Sequence, residues 1–257
     1  MILDGHTHLF SHFENREGMP LDGFVATLKD QGIDGALLFT FDGFFHEDTR
    51  PYNDELKAAV DRYPSFLHAF GTVHPRGGER ALEEMRRCVR DLGMRGFKFH
   101  SWLQAFCASS KSMFPLVEQA AELKVPMLFH DGTPPYSSTL QVAYLARCFP
   151  RATIILGHSG LRDSWKEALY AARKYPNLML QFCGTPQIGM RTIIQEIGWE
   201  RCIFGSDFPL TGMRSPAQMA RQIEEIDVSG QAKEAILGGN LKRLLESAAA
   251  ATADRGG

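Results

Sequence analysis

Two histidines separated by a single residue, His6 and His8 in the opening stretch MILDGHTHLF, can do metal chemistry. In a strand, successive side chains point to opposite faces, so both imidazoles would emerge on one face. Further groups of the same kind close later apolar runs. His74 ends FLHAFGTVHP, Lys98 and His100 end MRGFKFHSW, His130 ends VPMLFH, His158 ends ATIILGH, and Asp207 follows CIFGS. One histidine on an apolar strand is ordinarily a packing residue; five runs ending in histidine are a pattern. His6, His8, His130 and Asp207 make a three-nitrogen, one-oxygen set suited to one divalent ion, zinc first, with manganese and iron accepting the same ligands. His158 is read either as a further ligand or as the partner of a metal-bound water. For Asp207 the competing role is a cap on the turn DFPLTG.

Residues so far apart in sequence need a scaffold that gathers them. Eight apolar runs alternate with amphipathic stretches over 21–31, 54–63, 79–92, 112–123, 138–149, 162–175, 186–197 and 216–226. That alternation predicts an α/β fold, a (β/α)8 TIM barrel, with the active site at the C-terminal ends of the strands. An open doubly wound sheet is the competing topology, but no GxGxxG follows the first strand. Residues 1–257 read as one domain, with the Ala- and Gly-rich tail 248–257 expected to fray. Ser215-Pro216 reads as the cap and first residue of the last helix in the alternation.

Composition narrows the partners. The chain is 44% hydrophobic and 23% charged with a formal net charge of −2, which gives no basic excess for a nucleic acid. No run approaches the roughly 20 apolar residues that span a bilayer, so no membrane partner is expected. The start has no basic segment, and Asp4 and His6 interrupt its apolar run, unlike a signal peptide. Five widely spaced cysteines without a CxxC pair read as reduced thiols in a cytoplasmic protein. A small-molecule substrate is the expected partner, and a homodimer is compatible with the sequence.

The motifs DGHTH, GFKFH, PMLFHDG, IILGHSG and IFGSDFP, in that order and followed by ILGGNLKRLL, resemble the amidohydrolase superfamily over residues 6–245. The branch is the amidohydrolase-related group that includes aminocarboxymuconate-semialdehyde and resorcylate decarboxylases and pyrone-dicarboxylate lactonase. The resemblance implies that His6 and His8 are the first-strand metal pair, His130 the fifth-strand ligand and Asp207 the eighth-strand carboxylate. It gives His158 the task of positioning or deprotonating the metal-bound water. Two-metal members bridge their ions with a carboxylated lysine on the fourth strand, for which Lys98 is a candidate; it stands two residues before His100 rather than at the tip, so one metal is expected.

The preferred activity is hydrolysis of an ester, lactone or amide bond of a small molecule by a metal-activated water, with Asp207 and His158 as the catalytic pair. Lys98, His100, Trp102, Arg162 and Tyr136 are expected to bind substrate, and Phe41 to line the pocket. The alternative is metal-dependent, non-oxidative decarboxylation of a small aromatic or unsaturated acid in the same cage. The short chain and brief loops tilt the reading toward the hydrolase. A barrel that binds without catalysis is a third reading, disfavoured by the complete ligand set.

Overall fold

The computed structural model describes residues 1–10, 12, 13, 16–210 and 214–253, with the side chains of 12, 13, 16, 252 and 253 outside the description. Eight parallel strands form the barrel, each inside one of the eight apolar runs. They are β1 (Leu3–Leu9), β4 (Gly35–Thr40), β5 (Leu67–Ala69), β6 (Phe97–Phe99), β7 (Met127–Phe129), β8 (Ile154–Leu156), β9 (Leu178–Phe182) and β10 (Cys202–Phe204). β2 (His12–Phe13) and β3 (Arg16–Glu17) are a short antiparallel pair beyond β1. Strand order is β1-β4-β5 in one sheet and β6-β7-β8-β9-β10 in the other. Single bridges close the ring, Gly71 to Phe97 on one side and Thr7 to Phe208 on the other.

The helices α1 (Leu21–Asp30), α2 (Arg50–Arg62), α3 (Glu79–Arg90), α4 (Phe114–Leu123), α5 (Thr139–Cys148), α6 (Trp165–Lys174), α7 (Gln187–Ile197) and α8 (Pro216–Glu224) return the chain between and after these strands. α8 begins where Ser215-Pro216 predicts, and Ser215 forms a capping box with Gln218. The sequence reading did not include the β2–β3 pair, the short α9 (Gly230–Glu234) or the π turn Ala235–Gly239 that follows it. The closing α10 spans Asn240–Ala253 with Ala248 buried, so the tail expected to fray from residue 248 is helical through Ala253. Residues 254–257 of that expectation lie outside the described residues. No helix among the described residues is long and apolar enough to cross a membrane.

Strand alternation sorts the core into two layers. Leu37, Phe39, Phe70, Leu128, Ile155 and Ile203 fill the barrel, where Leu241 and Leu245 of α10 join them. Their neighbours in sequence, Ala36, Leu38, Ala69, Phe97, Phe99, Met127, Phe129, Ile154, Leu156, Cys202 and Phe204, pack in the outer layer. The same parity turns two buried polar side chains inward: Lys98, between Phe97 and Phe99, and Gln181, between Leu180 and Phe182.

Candidate active site

β1 carries the first part of the site, and a bulge aims it. Asp4 pairs with Ala36 and Thr7 with Leu38, so Gly5 and His6 stand against Leu37 alone. Such an extra residue bends a strand and redirects a side chain. Gly5 is required there, because a Cβ would lie 2.6 Å from Gln181 Nε2 and 2.7 Å from the Phe204 carbonyl. The neighbouring turn is tied to the same strand, with Asp207 N–H donating to the His6 carbonyl at 2.8 Å and His8 N–H to Phe208 O at 2.8 Å. Asp4 clamps the seam from below. It accepts from Ser206 Oγ at 2.5 Å and from the Ser206 and His6 amides at 2.9 and 3.1 Å. Burial nevertheless pushes its carboxyl up to about 7.

Asp207 lies three residues past β10, not on the strand, and takes φ +66°. A left-handed non-glycine residue is strained, and such strain concentrates where a side chain must be aimed. Asp207 Oδ1 stands 3.3 Å from His8 Nε2 and 3.5 Å from His6 Nε2. Ligand atoms around an ion at about 2.1 Å are separated by about 3.0–3.4 Å, so this trio has the spacing of a divalent-cation site. The mutual distances within His6, His8 and Asp207 are all under 4.8 Å.

Gln181 fixes the tautomer of His6. Its Oε1 lies 2.6 Å from His6 Nδ1 while its Nε2 donates to the Gly5 carbonyl at 2.7 Å. His6 Nδ1 is therefore the protonated nitrogen, and the Nε2 lone pair faces the site, the arrangement that a second residue behind a ligating histidine provides. Lys98 Nζ approaches that lone pair at 2.9 Å, a cation already seated beside these acceptors. Burial lowers the Lys98 ammonium to about 8, against the opposing pull of Asp207. Lys98 thus sits beneath His6 inside the barrel, away from the rim where substrate contact was expected.

A second histidine group stands on the next two strands. His158 Nδ1 donates to the Cys183 carbonyl at 2.9 Å, which leaves its Nε2 to accept from His130 Nδ1 at 2.8 Å. His130 Nε2 and His8 Nδ1 are then buried without a hydrogen-bond partner. His130 stacks on His100, centroids 3.9 Å apart. Asp131 aligns the turn after β8 by accepting from the His158 and Gly160 amides, both at 2.7 Å, and from Thr139 Oγ1 at 3.0 Å. His130 is thus joined to His158 rather than gathered into the His6–His8–Asp207 trio.

Burial holds the imidazoles of His6, His100 and His130 well below the ordinary histidine value, and His8 and His158 shift the same way. Uncharged imidazoles are the form that ligates a cation. Burial alone would raise Asp207, but the hydrogen bond with His8 and the nearby Lys98 ammonium help to outweigh it and keep its carboxyl low. Uncharged imidazoles and an ionised carboxylate at this spacing together fit a divalent ion held by His6, His8 and Asp207.

Among the described residues, a cavity of about 380 Å³ opens onto this cluster, lined by His158, Cys183, Asp207, Arg162 and Arg214 among others. Arg162, expected to bind substrate, is exposed and lines this cavity. Trp102 and Tyr136, in the stretches that follow β6 and β7, are exposed at 57% and 47% and do not line this cavity. Phe41 packs edge-on against His8. Gln181, Asp131, Asp4 and Arg214 were missed. A lone polar residue in LMLQF, and an aspartate directly after His130, were the available signals for the first two.

The molecule is a closed (β/α)8 barrel of the TIM-barrel class, with histidines and a carboxylate converging at its C-terminal mouth. Residues 3–246 match the family model described as Amidohydrolase, and the chain belongs to that family. It is 21% identical over 236 residues to 2-amino-3-carboxymuconate-6-semialdehyde decarboxylase of Dictyostelium discoideum, covering 75% of this chain and 65% of the relative's length. It is 23% identical over 257 aligned positions to gamma-resorcylate decarboxylase of Polaromonas sp. (strain JS666), covering 78% of this chain and 77% of the relative. A dihydroxybenzoic acid decarboxylase from Polaromonas sp. JS666, solved with manganese and the inhibitor 2-nitroresorcinol, superposes with a TM-score of 0.77 at 20% identity. That match covers 95% of this chain and 96% of the other.

These relatives overturn the hydrolytic reading of the sequence. Both curated relatives are decarboxylases, as is the manganese-bound structure. Short loops measure how much protein covers the mouth, and they do not determine which bond breaks. One ligand set serves either reaction, so the ligands carried no discrimination.

Proposed function

We propose that the chain is a metal-dependent, non-oxidative decarboxylase of a small aromatic or unsaturated carboxylic acid. The observation that carries the reading is the pairing of a trio spaced for a cation with a cavity that Asp207, Arg162 and Arg214 all line. His6, His8 and Asp207 would hold one divalent ion, for which the manganese of the Polaromonas structure is better support than zinc. That ion would supply a Lewis acid for a substrate oxygen.

The chain's own residues do the rest. Arg162 and Arg214 draw the acid into the cavity, and the stacked ring of His100 backs His130. Asp207, a carboxylate at rest, takes a proton from solvent at the cavity and passes it to the carbon that bears the carboxylate. The carbon–carbon bond then breaks, its electron pair stays with the protonated carbon framework, and carbon dioxide leaves. One proton is consumed for each carbon dioxide released. His158, held between the Cys183 carbonyl and His130, is a fixed part of the cavity lining against which the substrate packs. His130 holds His158 in place.

The test is a panel of hydroxybenzoates and unsaturated mono- and dicarboxylic acids offered to the manganese-loaded protein, with dissolved carbon dioxide measured directly. Release that requires metal and Asp207 is expected for at least one acid. Full metal loading with no release from any member would refute the reading.

A further inference from the structure

We propose that the chain carries a second cation position, built from His158, Cys183 and Asp207, which takes a thiophilic divalent ion of the zinc class and blocks the site. One ligating atom from each of these residues lies within 4.8 Å of the other two. All three line the same cavity of about 380 Å³, so an ion entering from solvent reaches them. His158 and Cys183 are buried, at 2% and 1% exposure. The donor set therefore lies at the cavity floor and not on a free surface.

Asp207 serves both positions. Its Oδ1 faces His6 and His8 at 3.5 and 3.3 Å, and a carboxylate has a second oxygen to offer another ion. Two ions held about 3.5–4 Å apart by shared ligands are an ordinary arrangement. The two positions differ in chemistry. The first offers imidazole and carboxylate and accepts a hard ion such as manganese, whereas a thiolate in the second selects a softer one. On binding, the Cys183 thiol releases its proton to solvent as the sulfur–metal bond forms, with no change of oxidation state.

The cost falls on His158. Its Nδ1 is engaged by the Cys183 carbonyl, so Nε2 is the nitrogen left for an ion, and Nε2 is the atom that pairs with His130 at 2.8 Å. Coordination replaces that bond and removes His158 from the substrate. Excess zinc then inhibits by occupying a place beside the working ion without displacing it. The inhibitory half rests on the decarboxylase reading; the binding half does not.

The full chain, loaded with manganese, is titrated with cobalt(II) and followed by absorption and elemental analysis. A thiolate-to-cobalt charge-transfer band should grow until one added equivalent is bound, with the manganese retained, and should be absent in Cys183→Ser and Cys183→Ala. Zinc should abolish the band and suppress carbon dioxide release in the wild-type chain, while the ratio of zinc-treated to untreated rates stays near one in both variants. No band in the wild-type chain, or a band undiminished in the variants, would overturn the second position. A band that appears without any zinc-dependent loss of release would overturn its inhibitory role alone. If no acid is turned over, the absorption titration still decides the binding half.

Discussion

The buried polar cluster between α2 and α3 and the one at the barrel mouth differ in one respect. Between α2 and α3, Glu84 accepts from Asn53 Nδ2 at 2.8 Å and from Arg87 at 2.7 and 2.8 Å. Asn53 also exchanges hydrogen bonds with the backbone of Thr72, and Arg87 reaches on to Asp54. Each carboxylate and amide there is used. At the barrel mouth His8 Nδ1 and His130 Nε2 are buried with no partner, and Lys98, whose charge burial disfavours, stands against His6. A completed network holds parts of a fold together, whereas buried groups left incomplete cost stability and persist where something else is to be bound. The first cluster fastens two helices to the scaffold; the second is arranged for a ligand.

Breaking each cluster should therefore have different consequences. The largest effect is expected at His158: replacement by Asn should cut turnover by about 10²–10⁴-fold while elemental analysis still finds the ion. Coincident loss of metal would instead make His158 a ligand. Next comes Glu84→Ala in the completed cluster, which strands the buried Asn53 amide and one end of Arg87. It should cost about 3 kcal/mol, a fall in Tm of about 6–12 °C, with turnover per folded molecule unchanged. Gln181→Leu removes the residue that fixes the His6 tautomer and should weaken metal affinity by about 10–100-fold, read by competition with a chelator. The smallest effect concerns His68 on β5, half-buried, whose imidazole is held low by burial and by the charge of Arg95. The folded chain then binds fewer protons than the unfolded one, so stability declines as pH falls below about 6.5. His68→Gln should flatten that acid-side decline in a urea titration series.

Much of this arrangement was legible because strand parity and barrel topology act on short stretches. The repeated placement of His6, His8, His100, His130 and His158 at the ends of apolar runs marks the mouth in the sequence itself. Apolar runs could not show where a strand stops, so Asp207 seemed to sit on a strand tip when it belongs to a left-handed turn three residues beyond. His130 looked equivalent to His6 and His8 in sequence, yet its Nδ1 is committed to His158, a fact set by ring orientation across 28 residues. Gln181 and Asp131 act through contacts with residues far along the chain, which periodicity does not encode. Arg214 lies in an irregular stretch where only the folded chain brings it beside Arg162. The choice of reaction was the least legible, because one cage serves both chemistries.

The contrast between the two clusters reduces to one measurement: the metal content of the untagged chain after incubation with manganese and desalting, compared with His6→Ala, Asp207→Ala and Glu84→Gln. One ion per chain is expected in the wild type and in Glu84→Gln, with its loss in both mouth variants. Wild-type protein that retains no ion, or mouth variants that bind it as well as the wild type, would contradict that expectation.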